Sequence, residues 1–223
     1  MVVLSAENVF YSYRTKYQTV HALRGISCQF EAGKFYAIVG RSGSGKTTFL
    51  SLLAGLSQPV EGTIKAYGKP LSETGLERHR RENVSVIYQS YNLFPQLTAL
   101  ENVLYPMEIQ GEKRKQVLQT AKDLLTQVGI QEKQFRQFPG MLSGGEQQRV
   151  AIARALGSKA KVILGDEPTG NLDSENGKII VDLLMSLARE QGYCVIVVTH
   201  DLAIADQADV VYRMKDGRWE DAP

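Results

Sequence analysis

The chain has 223 residues, of which 43% are hydrophobic and 22% are charged, as in an ordinary globular protein with room for a large core. Its 26 lysines and arginines are nearly balanced by 24 aspartates and glutamates, so no basic field favours nucleic-acid binding, and its two cysteines exclude a disulfide framework. Apolar runs are far shorter than the about 20 residues of a membrane span, and the first residues lack the features of a secretory signal. The composition therefore predicts a soluble, cytosolic protein.

Short β-branched runs alternate with helical patterns along the chain, which predicts an α/β fold around a largely parallel sheet. Segments 4–9, 23–30 and 62–66 have the pattern of strands at a more antiparallel edge. Four further runs are apolar on both faces, as central parallel strands should be. These runs cover residues 35–39, 84–88, 162–164 and 194–198.

Two segments have the spacing of apolar residues that is typical of amphipathic helices with one face in the core. They are 112–129 and the region 180–187. The segment 131–140, QEKQFRQFPG, carries the weakest core signal in the sequence, so we expect a solvated connection there. His21 and His79 have no neighbouring motif and are expected at the surface.

The strand at 35–39 runs directly into GRSGSGKT, which matches the phosphate-binding pattern GxxxxGK[ST] in its strand–loop–helix context. Its glycines let backbone N–H groups surround phosphate oxygens, and the following helix adds the positive end of its dipole. Lys46 can reach the β- and γ-phosphates, and the Thr47 hydroxyl can ligate Mg²⁺. The loop alone does not distinguish a kinase, a GTPase and an ATPase. The residues expected around the nucleotide are Gly40, Arg41, Ser42, Gly43, Ser44, Gly45, Lys46, Thr47 and Thr48.

A second hydrophobic strand ends in Asp166 and Glu167, two adjacent carboxylates at the edge where open α/β sheets bind ligands. Asp166 is placed to hold Mg²⁺, directly or through water, and Glu167 is placed to polarise an attacking water as a general base. Alone, such a pair is usually a solvated strand end. Together with a phosphate loop, it indicates hydrolysis of a nucleoside triphosphate.

Ser143 and Glu146 form a capping box within LSGGEQQR, at 142–149, and predict the start of a helix there. Gly144 and Gly145 leave backbone N–H groups and the helix dipole facing outward, which makes a second anion site. Because the phosphate loop already serves this chain, the second site is most easily explained if it binds the γ-phosphate of a nucleotide held by another copy.

The run LSGGEQQRVAIARAL resembles the signature of the ATP-binding cassette (ABC) transporter ATPases, and the similarity extends over nearly the whole chain. YNLFPQLTALENVLYPMEIQG and GDEPTGNLDS are similar to stretches of macrolide-export and lipoprotein-release cassettes. The resemblance implies a P-loop NTPase with a RecA-like core sheet, an antiparallel β-subdomain and an inserted α-helical subdomain. The single ABC domain, 1–223, would then consist of a core, 1–89 and 159–223, and a helical subdomain, 90–158. Gly165 stands where the family more often has a larger apolar residue.

The same resemblance assigns further residues to the site. Gln89 matches the Q-loop glutamine, which implies a part in catalysis and in binding Mg²⁺, and Asp173 lies in the D-loop. His200 matches the switch histidine, which would contact the γ-phosphate and hold Glu167 or the water, although it could instead only cap the next helix. Tyr13 matches the aromatic residue on which adenine stacks. The same segment contains three other aromatic residues, Phe10, Tyr11 and Tyr17.

The family's architecture implies that two copies face head to tail around two Mg-ATP molecules. Each site would combine Lys46 and Glu167 of one chain with Ser143, Gly145 and the Asp173 loop of the other. The chain would be the ATP-binding and ATP-hydrolysing subunit that powers export or extraction through a separate integral-membrane permease, with a periplasmic or extracellular adaptor in some systems. It would lie at the cytoplasmic face of the cell membrane, attached through the permease, and no nucleic-acid partner is expected.

The surface formed by 89–105 is expected to contact the permease. Phe94, Pro95 and Leu97 in this segment fit either a docking surface or the core of the helical subdomain. An ABC ATPase of a non-transporting membrane complex, as in cell-division signalling, is the alternative function. DNA-repair and chromosome-organising members are disfavoured because the interval before the signature lacks sustained heptads. A kinase or GTPase is disfavoured by the signature and by Glu167.

Overall fold

The computed structural model of the chain describes residues 1–14 and 16–220. The strands are β1 (Val2–Arg14), β2 (Thr19–Glu31), β3 (Phe35–Val39), β4 (Glu61–Ala66), β5 (Lys69–Pro70), β6 (Val84–Tyr88), β7 (Val162–Asp166), β8 (Cys194–Thr199), β9 (Val210–Lys215) and β10 (Arg218–Trp219). The helices are α1 (Lys46–Leu53), α2 (Leu71–Thr74), α3 (Leu76–Glu82), α4 (Ala99–Ile109), α5 (Arg114–Gln127), α6 (Gly144–Leu156), α7 (Ser174–Arg189) and α8 (Leu202–Ala205).

The strands form two sheets. A four-stranded antiparallel sheet has the order β2-β1-β4-β5. A six-stranded sheet has the order β10-β9-β3-β8-β7-β6, and its neighbours are parallel except for the β9–β10 hairpin. The segments predicted as antiparallel strands and the apolar runs predicted as parallel strands all lie in the expected sheets. The predicted α/β class with an antiparallel β-subdomain is therefore confirmed.

Parallel pairing brings four strand ends to one edge of the large sheet. Tyr88 at the end of β6 pairs with Asp166 at the end of β7, and Asp166 pairs in turn with Val198 near the end of β8. Thr199 at the end of β8 pairs with Val39 at the end of β3. The segments that follow these strands therefore emerge side by side, at the edge where open α/β sheets bind ligands.

Hydrophobic layers cover both faces of the parallel sheet. In β8, Val195 and Val197 belong to one layer, which also contains residues of α4, α5, α6 and α7. Ile196 and Val198 belong to the other layer, which contains α1 and the inner face of the antiparallel sheet. The alternation along β8 explains why its sequence is apolar from Cys194 to Val198.

The segment 131–140 is more buried than its polar sequence predicts. Phe135 is 5% exposed and packs in the same layer as α4, α5 and α6. The buried Gln134 donates a hydrogen bond from Nε2 to the Glu146 carboxylate, and the backbone oxygen of Phe135 accepts one from Leu100 N at 3.0 Å. Six of the ten residues are exposed, as expected for a solvated connection, but the prediction misses the buried residues that anchor the segment, Gln134, Phe135 and Pro139.

His79 is fully buried, whereas the sequence analysis expects it at the surface. Its Nε2 lies 2.9 Å from the backbone oxygen of Leu53, at the end of α1, and its Nδ1 lies 3.2 Å from Nδ2 of Asn83. Burial lowers the pKa of the His79 imidazole, since the charged ring would lose its hydration. The neutral ring therefore joins α3 to the helix that follows the phosphate loop.

Asn102, fully buried in α4, shapes the loop that precedes this helix. Its Oδ1 accepts a hydrogen bond from Phe94 N at 2.9 Å. Its Nδ2 donates to the backbone oxygens of Phe94, Leu97 and Thr98, at 3.2, 3.0 and 3.0 Å. Phe94 and Pro95 are exposed and Leu97 is half-buried, so the first two do not belong to the core.

Gly165 in β7 makes room for the turn that follows the strand. A Cβ at this position would lie 3.3 Å from Cγ of Pro168 and 3.3 Å from Cγ2 of Val197. The missing side chain lets Pro168 fold back against the sheet. This contact is a physical reason for the departure from the family pattern.

We expect Asn102→Ala to lower the free energy of unfolding by about 1–3 kcal/mol, because the buried backbone groups of the loop lose their partners. Urea denaturation followed by circular dichroism measures the change. Gln96→Ala, at an exposed position of the same loop, is the matched control and should change stability by less than about 0.5 kcal/mol. Equal stability of the two variants would show that Asn102 does not hold the loop.

Candidate active site

An open cavity of about 970 Å³ lies where the strand ends meet. It is bounded by the loop between β3 and α1, the ends of β7 and β8, part of β1 and β2, and the turn between β9 and β10. Nine of the predicted site residues line it: Tyr13, Ser42, Gly43, Gly45, Lys46, Thr47, Thr48, Glu167 and His200. It is also lined by residues to which the sequence analysis gave no role, among them His21, Ala22, Arg24 and Asp216.

Two glycines of the phosphate loop, Gly40 and Gly45, occupy positions where a side chain would clash with the backbone. Gly45 has φ of 108°, and a Cβ there would lie 2.6 Å from the backbone oxygen of Ala22. A Cβ at Gly40 would lie 2.2 Å from a backbone oxygen of β9. Ser44 Oγ is buried and has no hydrogen-bond partner among the described residues. An unpaired polar atom in a glycine-rich loop fits an oxygen-rich ligand such as a phosphate.

Lys46 is buried at the start of α1 and is held by its own loop. Its Nζ donates hydrogen bonds to the backbone oxygens of Gly40 at 2.7 Å and Arg41 at 3.1 Å. Burial lowers the pKa of the Lys46 ammonium, and the nearby carboxylates of Glu167 and Asp166 oppose that shift. The loop thus holds a positive charge inside the cavity.

Thr47 at the start of α1 contacts Asp166 at the end of β7. Thr47 Oγ1 donates a hydrogen bond to Asp166 Oδ1 at 3.2 Å, and burial raises the pKa of the Asp166 carboxyl. The described residues contain no cluster of three or more His, Cys, Asp or Glu side chains that could hold a metal alone. One hydroxyl and one carboxylate nevertheless fit Mg²⁺ when a nucleotide and water supply its other oxygens.

Glu167 has a left-handed backbone conformation, with φ of 47°, which is rare for a residue with a Cβ. Its N–H donates to the backbone oxygen of Val198 at 2.9 Å, so the turn is fastened to β8. Its Oε2 accepts a hydrogen bond from Thr199 Oγ1 at 3.2 Å, and its Oε1 lies 2.9 Å from His200 Nδ1. The carboxylate is therefore oriented by two residues of the neighbouring strand end, of which the sequence analysis had not singled out Thr199.

His200 contacts Glu167 and does not cap the following helix. The capping residue of α8 is Asp201, whose Oδ1 accepts a hydrogen bond from Ala203 N at 2.8 Å. The His200 side chain is 73% exposed, whereas that of Glu167 is 19% exposed. The imidazole thus lies between solvent and the carboxylate, at the mouth of the cavity.

Gln89 lies outside the group formed by Thr47 and Asp166. Its Nε2 donates to Asn171 Oδ1 at 3.1 Å, and Asn171 Nδ2 donates to the backbone oxygen of Gln89 at 3.0 Å. Of the three predicted Mg²⁺ ligands, the structure brings only Thr47 and Asp166 into contact. Asn171, which the sequence analysis mentions only as part of a motif, is the partner of Gln89.

Tyr13 is the aromatic residue of its segment that lines the cavity. Its hydroxyl lies 3.1 Å from Thr48 Oγ1, and its ring packs edge-on against Tyr11 with 5.1 Å between the ring centres. Tyr13 is 47% exposed, which leaves room for a planar ligand beside it.

The second predicted anion site lies apart from the cavity lining. Ser143 caps α6 as predicted, because its Oγ accepts a hydrogen bond from Glu146 N at 3.3 Å while its own N–H donates to Glu146 Oε2 at 2.7 Å. Gly144 faces Tyr91, since a Cβ there would lie 2.7 Å from the Tyr91 hydroxyl oxygen.

Asp173 and Gly145 meet at Asn176. Asp173 caps α7: its Oδ1 accepts a hydrogen bond from Asn176 N at 2.9 Å, and its Oδ2 accepts one from Asn176 Nδ2 at 2.8 Å. A Cβ at Gly145 would lie 2.4 Å from Asn176 Oδ1. The predicted residues therefore form two groups within one chain, one around the cavity and one where α6 and α7 begin.

Comparison with known proteins places this geometry in a family. The profile of the family described as ABC transporter matches residues 23–170. The chain is 48% identical over 219 residues to the uncharacterized ABC transporter ATP-binding protein YclH of Bacillus subtilis, covering 98% of this chain and 96% of that protein. It is 41% identical over 224 residues to the lipoprotein-releasing system ATP-binding protein LolD of Acinetobacter baylyi, covering 99% and 98%.

Solved structures of ABC transporter cassettes also superimpose on the chain. The dimeric structure of MJ0796, a bacterial ABC transporter cassette, superimposes with a TM-score of 0.90 at 36% identity, covering 98% of this chain and 97% of that one. A second dimeric structure of MJ0796, in a post-hydrolysis state bound to ADP and phosphate, gives a TM-score of 0.89. The family profile, the relatives and the solved structures agree with the phosphate loop, the paired carboxylates and the signature helix. The chain therefore belongs to the ABC transporter family and is an ATP-binding subunit with ATPase activity.

Proposed function

We propose that the chain binds and hydrolyses Mg-ATP between two copies of itself and thereby drives transport through a separate integral-membrane permease. The observation that carries the proposal is the division of the site residues into two groups. The cavity group contains Lys46 and Glu167, whereas Ser143 and Gly145 lie where α6 begins. The dimeric MJ0796 cassettes and the LolD proteins of lipoprotein-releasing systems support this reading.

The cavity group binds the nucleotide. Tyr13, which is half-exposed at the cavity, stacks on the adenine, and the backbone N–H groups of residues 40–48 surround the phosphates. Lys46 exchanges its bonds to the loop oxygens for bonds to the β- and γ-phosphates. The exchange keeps the buried ammonium paired, which favours binding of a highly charged phosphate chain.

Thr47, Asp166 and Gln89 hold the Mg²⁺ that accompanies ATP. Thr47 and Asp166 are already in contact, and both provide the hard oxygens that this ion prefers. The side-chain oxygen of Gln89 would be the third protein ligand once the nucleotide and the ion are bound. When bound, the ion neutralises charge on the β- and γ-phosphates.

Glu167 is the general base. Its carboxylate is oriented by Thr199 and His200, so it presents a fixed lone pair to a water molecule at the cavity mouth. His200 is exposed enough to touch the γ-phosphate while it remains bonded to Glu167. The two side chains thus align the water and receive its proton.

Ser143, Gly144, Gly145 and the Asp173 loop complete the site of the other copy. The capping box pairs the N–H groups of Ser143 and Glu146, which leaves those of Gly144 and Gly145, at the positive end of the helix dipole, to bind a phosphate. ATP bound to one chain would therefore be held by the signature of its partner. Hydrolysis removes this link and lets the two chains separate.

The permease would bind on the surface around the loop before α4. Phe94 and Tyr105 are exposed there, with their ring centres 4.6 Å apart. In this proposal residues 90–158 act as a helical subdomain, attached to a core formed by 1–89 and 159–223, and the subunit lies at the cytoplasmic face of the membrane. Within the described residues, no helix has the length and apolar character needed to cross a membrane.

Glu167→Gln should reduce ATP hydrolysis at least about 100-fold while ATP still binds, because an amide has the same shape but accepts a proton poorly. The variant should accumulate as an ATP-bound dimer in size-exclusion chromatography. Glu190→Gln, at an exposed position, is the control and should keep wild-type turnover. Normal turnover of the Glu167 variant would remove this residue from the role of base.

Mixing two inactive variants tests whether the site is shared between chains. Lys46→Ala removes the phosphate contact and Gly145→Asp repels the γ-phosphate, so neither homodimer should hydrolyse ATP. In a mixed dimer, both substitutions fall in one site, and the other site has unmodified residues from both chains. At equal amounts, half of the dimers are mixed, so activity should recover to roughly a quarter of the wild-type rate.

Gly145→Asn is the matched control for the second variant, because any side chain at 145 also displaces Asn176. The asparagine variant creates the same displacement without the charge and should retain more activity than Gly145→Asp. No recovery on mixing, with subunit exchange demonstrated by labelled chains, would contradict a shared site.

A further inference from the structure

The contact between Gln89 and Asn171 is reciprocal and joins two loops that end different strands. Asn171 receives a hydrogen bond from the side chain of Gln89 and donates one to its backbone oxygen, at 3.1 and 3.0 Å. Both residues are exposed, so neither bond is needed to satisfy a buried group. An exposed amide pair of this kind contributes more to the orientation of side chains than to stability.

The backbone oxygen of Gln89 determines the orientation of both amides. A carbonyl oxygen only accepts, so the Asn171 atom that faces it must be the NH₂ group. The Asn171 oxygen then faces the Gln89 side chain and accepts a hydrogen bond only from its NH₂ group. The Gln89 oxygen is thereby left outside the pair, as the free end of the amide.

Gly170 supports the same arrangement. A Cβ at this position would lie 2.7 Å from Gln89 Nε2 and 3.1 Å from its Cδ, so the glutamine side chain lies flat against the glycine. The N–H of Gly170 donates to the backbone oxygen of Glu167 at 3.0 Å. The turn that holds Gln89 is therefore closed on the residue that carries the proposed base.

We propose that Asn171 is a positioning residue that fixes the amide of Gln89 with its oxygen free to ligate the nucleotide-bound cation. The inference rests on the proposed function, in which Gln89 is a ligand of Mg²⁺. Without Asn171, the side chain would sample many conformers, and in most of them the amide would present its NH₂ group to the cation or point its oxygen elsewhere. Asn171 itself touches neither the nucleotide nor the metal.

Binding of Mn²⁺, a paramagnetic substitute for Mg²⁺, measures the effect without turnover. The affinity of the full chain for Mn²⁺ in the presence of ADP is followed by electron paramagnetic resonance of the free ion. Asn171→Ala and Asn171→Leu should both weaken Mn²⁺ binding about threefold to tenfold, the range expected for one net hydrogen bond. Leucine fills the space of asparagine, so it would restore binding if Asn171 acted only through its volume.

Ser90→Ala is the matched control, because it alters an exposed side chain next to Gln89 and leaves the amide pair intact. It should bind Mn²⁺ like the unmodified chain. In nucleotide-free protein, the side-chain NH₂ signals of Gln89, identified by their loss in Gln89→Ala, should shift in both Asn171 variants and not in Ser90→Ala.

A double-variant cycle separates this inference from the proposed function. If Asn171 acts through Gln89, then Asn171→Ala should weaken Mn²⁺ binding no further in a Gln89→Ala background. Additive effects of the two changes, or an unchanged affinity of Asn171→Ala beside a weakened Gln89→Ala, would overturn the positioning role and leave Gln89 as a ligand. Unchanged Mn²⁺ affinity of Gln89→Ala would remove Gln89 from the metal site and the inference with it.

Discussion

The parallel pairing of β6, β7, β8 and β3 is the constraint on which the active site depends. Each strand is buried on both faces, so its register is held by packing against two layers of helices and sheet. That register places the ends of β6, β7 and β8 level with one another. Residues separated by more than a hundred positions in the chain, such as Thr47 and Asp166, consequently lie within hydrogen-bonding distance.

The strand end that carries Glu167 stores backbone strain and is held from several sides. A left-handed residue with a Cβ costs about 1–3 kcal/mol and persists only when its surroundings fix it. Here Val198 and Gly170 bind the backbone of Glu167, and Gly165 lets Pro168 pack behind it. The buried Gln148 of α6 donates to the backbone oxygen of Pro168 at 2.7 Å. The signature helix therefore also supports the base of its own chain.

The sequence predicts the parts of the site that are local and leaves out those that depend on packing. The residues of the phosphate loop are close together in the sequence, as are those of the Asp166–Glu167 pair and of the Ser143 capping box. These motifs can therefore be recognised without knowledge of the fold. Phe135 and His79 were misplaced because a single buried side chain in a polar segment produces no periodicity. The partners Thr199, Asn102 and Asn171 were missed or left without a role because their bonds reach across turns or between strand ends, which spacing does not reveal.

The segment that follows β6 connects the cavity to the exposed aromatic surface. Gln89 at its start is bonded to Asn171, beside the turn of Glu167. In its middle, the largely buried guanidinium of Arg154 in α6 donates to the backbone oxygens at positions 91 and 92, both of which have positive φ. At its end, Phe94 is presented to solvent by Asn102 and lies under the same guanidinium. Polar contacts thus fix the segment at both ends and in its middle, from the exposed amide pair of Gln89 to the partly buried bond between Phe94 and Asn102. A displacement of Gln89 would therefore either move α6 and Phe94 with it or break these hydrogen bonds.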